Sequence, residues 1–337
     1  MQRIPEVAYP RSPYIAQRET KDEGFSQGWG FHFPPSESYW VDCHVHLRAG
    51  NTFAEITDAL NRWYRHAEAY RLGRLVGFVE DEETFAICGA IASVDPRFSW
   101  FYWPKPDRTL ADVQRAFAHG AVGLKLHNHN AMRGLFDPAI WESPQWAEVF
   151  AFLNERRAAV NWHVTQRVAY SPYHGGGDNA YWSEGIPNGV TFTNRDLLAQ
   201  FLRIAEANPQ LTMIGAHQLY LSNAALAEIF TRHPNVHVDT SVGYYLRWAD
   251  TLQEADREEY RRFVLAHGDR LLFGTDTVLG VASAEDPYLL EAYKCHARFI
   301  SALQLPFETL QAISHGNIER LLNLPAGSEA RRYSARP

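Results

Sequence analysis

The sequence predicts an α/β fold: a (β/α)8 TIM barrel with an N-terminal aromatic-rich arm and a long lid loop after the fifth strand. Three observations predict it. From residue 39 onward, eight short β-branched or apolar runs alternate with stretches whose apolar residues recur at helical spacing. Neither a G-x-G-x-x-G nor a P-loop follows any run, which argues against an open doubly wound sheet. Ionisable residues gather at the ends of the runs, where a barrel places its chemistry.

The expected strands are 39–47, 74–80, 87–94, 121–127, 159–165, 211–218, 235–241 and 270–276. The expected helices are 52–73, 109–120, 143–158, 193–209, 223–234, 252–268, 286–303 and 306–324. Gly73 and Gly120 close the first two. Ser143 followed by Pro144 is a strong helix start, an N-cap with proline at the first helical position. Between the second and third strands stands DEETFA, too short for a full helix. The third strand is expected to stop at Asp95-Pro96, with a second aromatic cluster, Ser99 to Trp103, following it.

Residues 39–325 are read as this one domain, 1–38 as the arm and 326–337 as a tail. The arm lacks periodicity but holds Tyr9, Tyr14, Phe25, Trp29, Phe31 and Phe33, so it is expected to pack on the surface or in a homo-oligomer contact. A net charge of −7 gives no electrostatic reason to expect nucleic acid or an anionic membrane. Three cysteines cannot build a disulfide framework or a four-cysteine zinc site. No run approaches membrane-spanning length and no signal-like apolar stretch stands near the N-terminus. The expected setting is therefore cytoplasmic, and the expected partner a small-molecule substrate.

The chain holds 15 histidines, and their placement is informative. The first run carries Asp42-Cys43-His44-Val45-His46. His44 and His46 are two apart, so on a strand both imidazoles point to one side. The fifth run carries His163, the sixth His217, and the eighth ends on Asp276. One histidine at a strand end is ordinary. Several at matching strand ends suit Zn²⁺, and also Mn²⁺ or Fe²⁺. Three imidazoles and one carboxylate leave a net positive charge on a divalent ion, which lowers the pKa of a bound water.

These residues resemble the opening and later strand ends of the amidohydrolase superfamily. Its second family, the aminocarboxymuconate-semialdehyde decarboxylase group, is matched more finely. Ser93-Val94-Asp95-Pro96, Gly123-Leu124-Lys125-Leu126-His127, Leu272-Phe273-Gly274-Thr275-Asp276 and Gly316-Asn317-Ile318-Glu319-Arg320-Leu321-Leu322 carry that similarity, over about 40–324. The resemblance implies one divalent metal on His44, His46, His163 and Asp276. It makes His217 and Asp276 the catalytic pair, with His217 facing substrate or joining the ligands. Lys125 and His127 alternate with leucines, so both should face the barrel interior and serve the substrate. A carboxylated Lys125 bridging two metals is the alternative that binuclear relatives suggest.

The stretch 165–196 is too long and aperiodic for an ordinary connection. It reads as a lid whose Tyr173 and Trp182 offer aromatic walls to a substrate, or else as an oligomer contact. Asp239 is a candidate to hold a ligand imidazole, and Tyr244 and Arg247 to bind a carboxylate. The absence of G-x-S-x-G excludes the usual serine hydrolase elbow. The expected function is metal-dependent hydrolysis of a lactone, ester or amide in a small cyclic or aromatic substrate. Nonoxidative decarboxylation of an aromatic or muconate-type acid is the alternative, and a non-catalytic metal- or ligand-binding barrel the second.

Overall fold

The computed structural model describes residues 39–68, 72–165, 188–241, 254–280 and 303–325. The arm, the stretch 166–187 with Tyr173 and Trp182, the stretch 242–253 with Tyr244 and Arg247, the expected helix 286–303 except for its last residue, and the tail lie outside these described residues.

Along the chain stand β1 (Trp40–Arg48), α1 (Phe53–Glu68), β2 (Leu72–Val79), α2 (Phe85–Val94), β3 (Phe98–Tyr102), α3 (Leu110–Ala118), β4 (Gly123–His127), α4 (His129–Met132), α5 (Pro144–Glu155) and β5 (Ala159–His163). Then come α6 (Asn194–Ala207), β6 (Thr212–Gly215), α7 (Asn223–Arg232), β7 (Val236–Asp239), α8 (Glu254–His267), β8 (Leu271–Leu272), β9 (Thr277–Gly280), α9 (Phe307–Gln311) and α10 (Asn317–Leu321). All the described strand pairs are parallel, in the order β8-β7-β6-β5-β4-β3-β2-β1-β9. The two ends of that ladder are consecutive pieces of chain, so the sheet curls round on itself. The Cys43 N–H donates to the Phe273 carbonyl at 3.0 Å and the Asp276 N–H to the His44 carbonyl at 2.9 Å, across the gap between β8 and β9. The fold is the (β/α)8 barrel, with its eighth strand broken.

The expected third strand is corrected. Residues 87–94 belong to α2, and the third strand is the aromatic run Phe98–Tyr102. DEETFA does not replace a helix; it begins one. Asp81 caps a short 3-10 turn, Glu82–Thr84, that leads straight into α2. Isoleucines and Val94 gave 87–94 a strand-like look, but its alanines and glycine suit a slim helix packed on the barrel wall. All five residues of β3 are buried, as a strand covered on both faces requires. Ser93-Val94-Asp95-Pro96 therefore lies at the C-terminal end of α2 and precedes β3, at the face of the barrel away from the site. There Arg97 chelates the Asp95 carboxylate with two bonds of 2.9 Å. Of the aromatic cluster, only Trp103 reaches the functional face.

Other elements follow their local chemistry. Ser143 caps α5 by accepting from the Trp146 N–H. Thr109 with Asp112 and Thr193 with Asp196 form capping boxes on α3 and α6. The last helical stretch, expected over 306–324, is divided into α9 and α10 by a π turn, Ala312–Gly316.

Two apolar assemblies hold the barrel. One lies between strands and helices and contains Trp40, Val45, Leu124, Leu126, Trp162 and Val238. The other gathers Val41, Cys43, Phe78, Phe101, Ile214 and Leu272 from strands all round the ring, with Ile318 and Leu322 of the last helical turn. Residues from opposite strands meet only inside the barrel, so this second group is its interior. Cys43 belongs to the interior as well, although strict strand alternation would turn it away from the side that His44 and His46 share. The reason is a register irregularity between Asp42 and Val45. It resets the alternation, so that Val41 and Cys43 point inward and then His44 and His46 do as well.

Candidate metal centre

The bulge on β1 brings its two histidines to the mouth of the barrel. His46 Nε2 lies 3.0 Å and His44 Nε2 3.1 Å from the same oxygen, Asp276 Oδ1. Asp276 reaches them because the eighth strand is interrupted before it. Its backbone is left-handed, φ +60°, a conformation that aspartate tolerates better than most residues. Buried Asp42 ties this segment to β1. It accepts from the His44 N–H at 3.0 Å, the Thr275 N–H at 3.1 Å and the Thr275 hydroxyl at 2.5 Å. Gly274 is required by the same close approach, since a Cβ there would meet His44 Cβ at 2.9 Å.

Beneath these groups lies a buried polar layer. Asp239, at the end of β7, accepts from His44 Nδ1 at 2.8 Å, Asn161 Nδ2 at 2.7 Å, the His217 N–H at 3.0 Å and the Ser241 N–H at 3.1 Å, and from the Ser241 hydroxyl. Lys125 donates to Asn161 Oδ1 at 2.7 Å and approaches His44 Nε2 at 3.2 Å. Asn161 thus links Lys125 to Asp239.

The proton positions follow from these partners. Asp239 is an acceptor, so the His44 proton sits on Nδ1 and Nε2 keeps its lone pair. The Ser241 carbonyl, 2.6 Å from His217 Nδ1, can only accept, so neutral His217 carries its proton there. His217 Nε2 then accepts from His163 Nδ1 at 3.0 Å. This leaves His163 Nε2 with a lone pair, buried and without a partner. His46 Nδ1 is likewise buried without a partner. His127 Nδ1 accepts from the His129 N–H at 2.8 Å, so its Nε2 carries a proton and can donate.

Charge states agree with this reading. Burial pulls His46 and His217 down to about 4 and holds His127 and His163 well below the ordinary imidazole range, so all four are neutral at pH 7. Burial carries Lys125 down to about 8. Burial and Lys125 also depress His44, but Asp239 and Asp276 outweigh them and its value is raised. Burial pushes Asp239 and Asp276 upward, yet the facing histidines outweigh it and hold both carboxyls below their usual range.

His217 stands in an unusual turn. Residues 217–220 are four consecutive non-glycine residues with φ between +52° and +57°. The turn folds Leu219 back onto Gly215, where a Cβ would meet the leucine side chain at 2.4 Å. Its partners lie far away in sequence: Asp239 and Ser241 on His217, the Tyr260 hydroxyl on Gln218 Nε2 at 2.5 Å, and the Thr165 hydroxyl on the Leu219 carbonyl at 2.8 Å.

Above the centre opens a hollow of about 600 Å³ whose walls include His46, Trp103, His127, His163, Tyr220 and Asp276. Trp103, His127 and His163 form a stack, with ring centroids 5.5 and 4.1 Å apart and planes within 16° and 13°. His217 is 2% exposed and stands behind His163.

The structure thus brings His44, His46 and Asp276 around one point, with ligand atoms within 4.8 Å of one another. His163 joins through the His217 pair rather than through that triad. Lys125 touches His44 from below, and His127 lines the hollow. This donor set fits a divalent cation: two imidazole nitrogens converge on a carboxylate oxygen, and His163, whose buried Nε2 has no hydrogen-bond partner, lines the same hollow. Asp42, Asn161 and Ser241 were given no role from the sequence. Their signal was there, because a carboxylate or amide inside a strand buried on both faces must serve something polar.

A parallel barrel with a histidine–carboxylate centre at the C-terminal ends of its strands defines a class, the metal-assisted TIM-barrel enzymes. A family model described as amidohydrolase matches residues 41–324, and the chain belongs to that family. A search of curated protein sequences finds no match. Among solved structures the chain is similar to an uncharacterised TIM-barrel protein from Bordetella bronchiseptica, at 16% identity over 85% of this chain and 99% of that one, TM-score 0.54. It is similar to a dihydroxybenzoic acid decarboxylase from Polaromonas sp., with bound manganese and the inhibitor 2-nitroresorcinol, at 13% identity over 85% and 97%, TM-score 0.53. It is also similar to a putative 2-pyrone-4,6-dicarboxylic acid hydrolase from Pseudomonas putida, at 16% identity over 87% and 99%, TM-score 0.51. At these identities the likeness is one of fold.

Proposed function

We propose that this protein is a metal-dependent hydrolase acting on a lactone, ester or amide bond of a small cyclic or aromatic substrate. The observation that carries the reading is the convergence of His44 Nε2 and His46 Nε2 on Asp276 Oδ1, within 3.1 Å, at the floor of an aromatic-walled hollow. His44, His46, Asp276 and the free His163 Nε2 are the groups that would hold one divalent ion. Zn²⁺ suits them best, with Mn²⁺ or Fe²⁺ also acceptable. Such an ion supplies Lewis acidity to a carbonyl oxygen and favours ionisation of water near neutral pH.

The chain's own groups divide the remaining work. Asp276 keeps 32% of its side chain open, so its second oxygen can orient the attacking water, accept a proton from it and return that proton to the leaving group. His127 Nε2–H, neutral and fixed by the His129 N–H, can donate to a substrate oxygen. Trp103 and His127 offer flat faces to a ring. Buried His217 holds the His163 ring in one orientation.

The test is a panel of lactones, aryl esters, amides and aromatic carboxylic acids, assayed with protein carrying one Zn²⁺ or Mn²⁺ per chain. Hydrolysis that disappears with chelator and returns with metal is expected. Release of carbon dioxide from an aromatic acid, with no hydrolysis of any panel member, would overturn the reading in favour of decarboxylation.

A further inference from the structure

A second hollow lies at the other end of the barrel, away from the histidines. It is a groove of about 450 Å³ across the rim where β2, β3 and β4 begin. The end of α2, the start of β3, the turn between α3 and β4, and Leu324–Pro325 form its walls. Arg74 is the one charged side chain among the described residues that line it. Its donors are already engaged: Nε with the Pro96 carbonyl at 2.6 Å, Nη2 with the Pro325 carbonyl at 3.1 Å, and Nη1 with Glu319 Oε1 at 3.4 Å. The Ser93 hydroxyl donates to the Ala90 carbonyl at 2.7 Å. What the groove leaves open is apolar. Val94, on its lip, is 68% exposed, the most of any large apolar side chain among the described residues. Val122 and Leu324, in the same groove, are half-buried. An apolar concavity open to water marks a docking surface.

Two pieces of chain leave the barrel at this place. The Tyr39 hydroxyl donates to the same Glu319 oxygen that Arg74 approaches, so residues 1–38 join the barrel beside the groove. Residues 326–337 continue from Pro325 in its wall. Their chemistry differs. The tail carries Arg331, Arg332 and Arg336 with one aromatic residue, Tyr333, and would bring three cations towards Arg74. The arm brings Phe31-His32-Phe33, followed by Pro34-Pro35-Ser36-Glu37-Ser38. Phenyl rings suit the open apolar wall and the guanidinium face of Arg74.

Length agrees. Phe33 stands six residues before Tyr39, a reach of up to about 20 Å. β2 and β3 lie one and two strand spacings from β1, about 5 and 10 Å. Pro34 and Pro35 favour extended backbone and direct the run away from its own root.

We propose that Phe31 and Phe33 seat in this groove of their own chain, so that the arm ties the start of β1 to the corner between α2 and β3. The seating does not depend on the metal centre, which lies at the opposite face.

Chymotrypsin cleavage of the full chain, followed by mass spectrometry, tests it. Each rate is divided by that of a free peptide of the same local sequence. Val94→Asp, at an exposed helix end, should speed cleavage after Phe31 at least about tenfold, while cleavage after Tyr14 stays the same. Phe33→Asp should do likewise from the arm side, and the two changes together should do no more than either alone, because both break one contact. Equal cleavage after Phe31 in the parent and Val94→Asp chains, or additive effects of the two changes, would overturn the proposal. A rise after Tyr333 in place of Phe31 would give the groove to the tail and overturn it too. Co-expression of the Val94→Asp chain with a Phe31→Ser, Phe33→Ser chain separates one copy from two. Phe31 of the first chain should remain open to the protease. Its protection by the intact groove of the second chain would overturn seating within one chain.

Discussion

Asp239 Oδ2 lies 2.8 Å from His44 Nδ1, and this contact decides which nitrogen of His44 faces the barrel mouth. The same carboxylate fixes the backbone of His217 through its other oxygen. A residue that touches neither the hollow nor a substrate thus sets the orientation of two site histidines.

Asp239→Asn should therefore weaken metal binding by about 10- to 100-fold, the usual effect of losing a partner behind a ligand. An amide keeps one acceptor oxygen for the His217 and Ser241 N–H groups. It then presents its NH₂ to His44 Nδ1–H, donor against donor, and favours the other tautomer. Titration with Zn²⁺ against a competing chelator measures the change. Parent-like affinity would show that the Asp239 contact does not orient the ligand.

Proton and ion compete for His44 Nε2, which gives metal affinity a definite pH dependence. Asp239 and Asp276 raise the value of His44 against burial and Lys125, whereas burial brings His46 down to about 4. Affinity should rise with pH, by up to about tenfold per unit while His44 is protonated in the free protein, and level off once it is neutral. His46 should add a second proton to the slope only near pH 4. A slope of two protons per ion between pH 5 and 7, read from chelator competition at stepped pH, would contradict this assignment (~1.4 kcal/mol of affinity per proton and pH unit).

His163→Ala and His217→Ala should separate. Removing His163 deletes the free lone pair at the hollow, so metal content after dialysis should fall. Removing His217 leaves His163 Nε2 in place but loosens its ring, so most metal should remain and kcat should drop. Elemental analysis beside kinetics distinguishes them, and equal metal loss in both variants would make His217 a ligand as well.

Asp276→Asn retains size and one oxygen but cannot take a proton. Metal-loaded variant is expected to fold normally and to lose about 10²- to 10⁴-fold in kcat, the range for a positioned general base. Its pH–rate profile should also lose the acidic limb. Parent-like turnover at full metal occupancy would leave Asp276 with a structural role only.

Much of the fold and site was legible from residue types at strand ends. His44 and His46 stood out because two imidazoles two apart on a strand share a side, and Asp276 because it closed an apolar run. Residues 87–94 misled because a short apolar run has no period to separate strand from helix. The turn at 217–220 and the break between β8 and β9 were invisible because both depend on partners distant in sequence: Tyr260 and Thr165 for one, Asp42 for the other. No local preference encodes a non-glycine run at positive φ. The inward setting of both Cys43 and His44 was hidden for a related reason, since a bulge shifts parity without changing composition.

The left-handed turn at 217–220 has a kinetic consequence. Each non-glycine residue held there costs roughly 1–2 kcal/mol. The groups that offset this come from β7, from α8 and from the end of the fifth strand, so the turn has no reason to persist until those elements have docked. The histidine pair should then be among the last parts of the molecule to organise during folding. Tyr260→Phe, which removes the hydroxyl from Gln218, should speed unfolding and leave the refolding rate nearly unchanged, a φ-value near zero by stopped-flow fluorescence. A barrel built this way completes its scaffold first and its reactive centre afterwards.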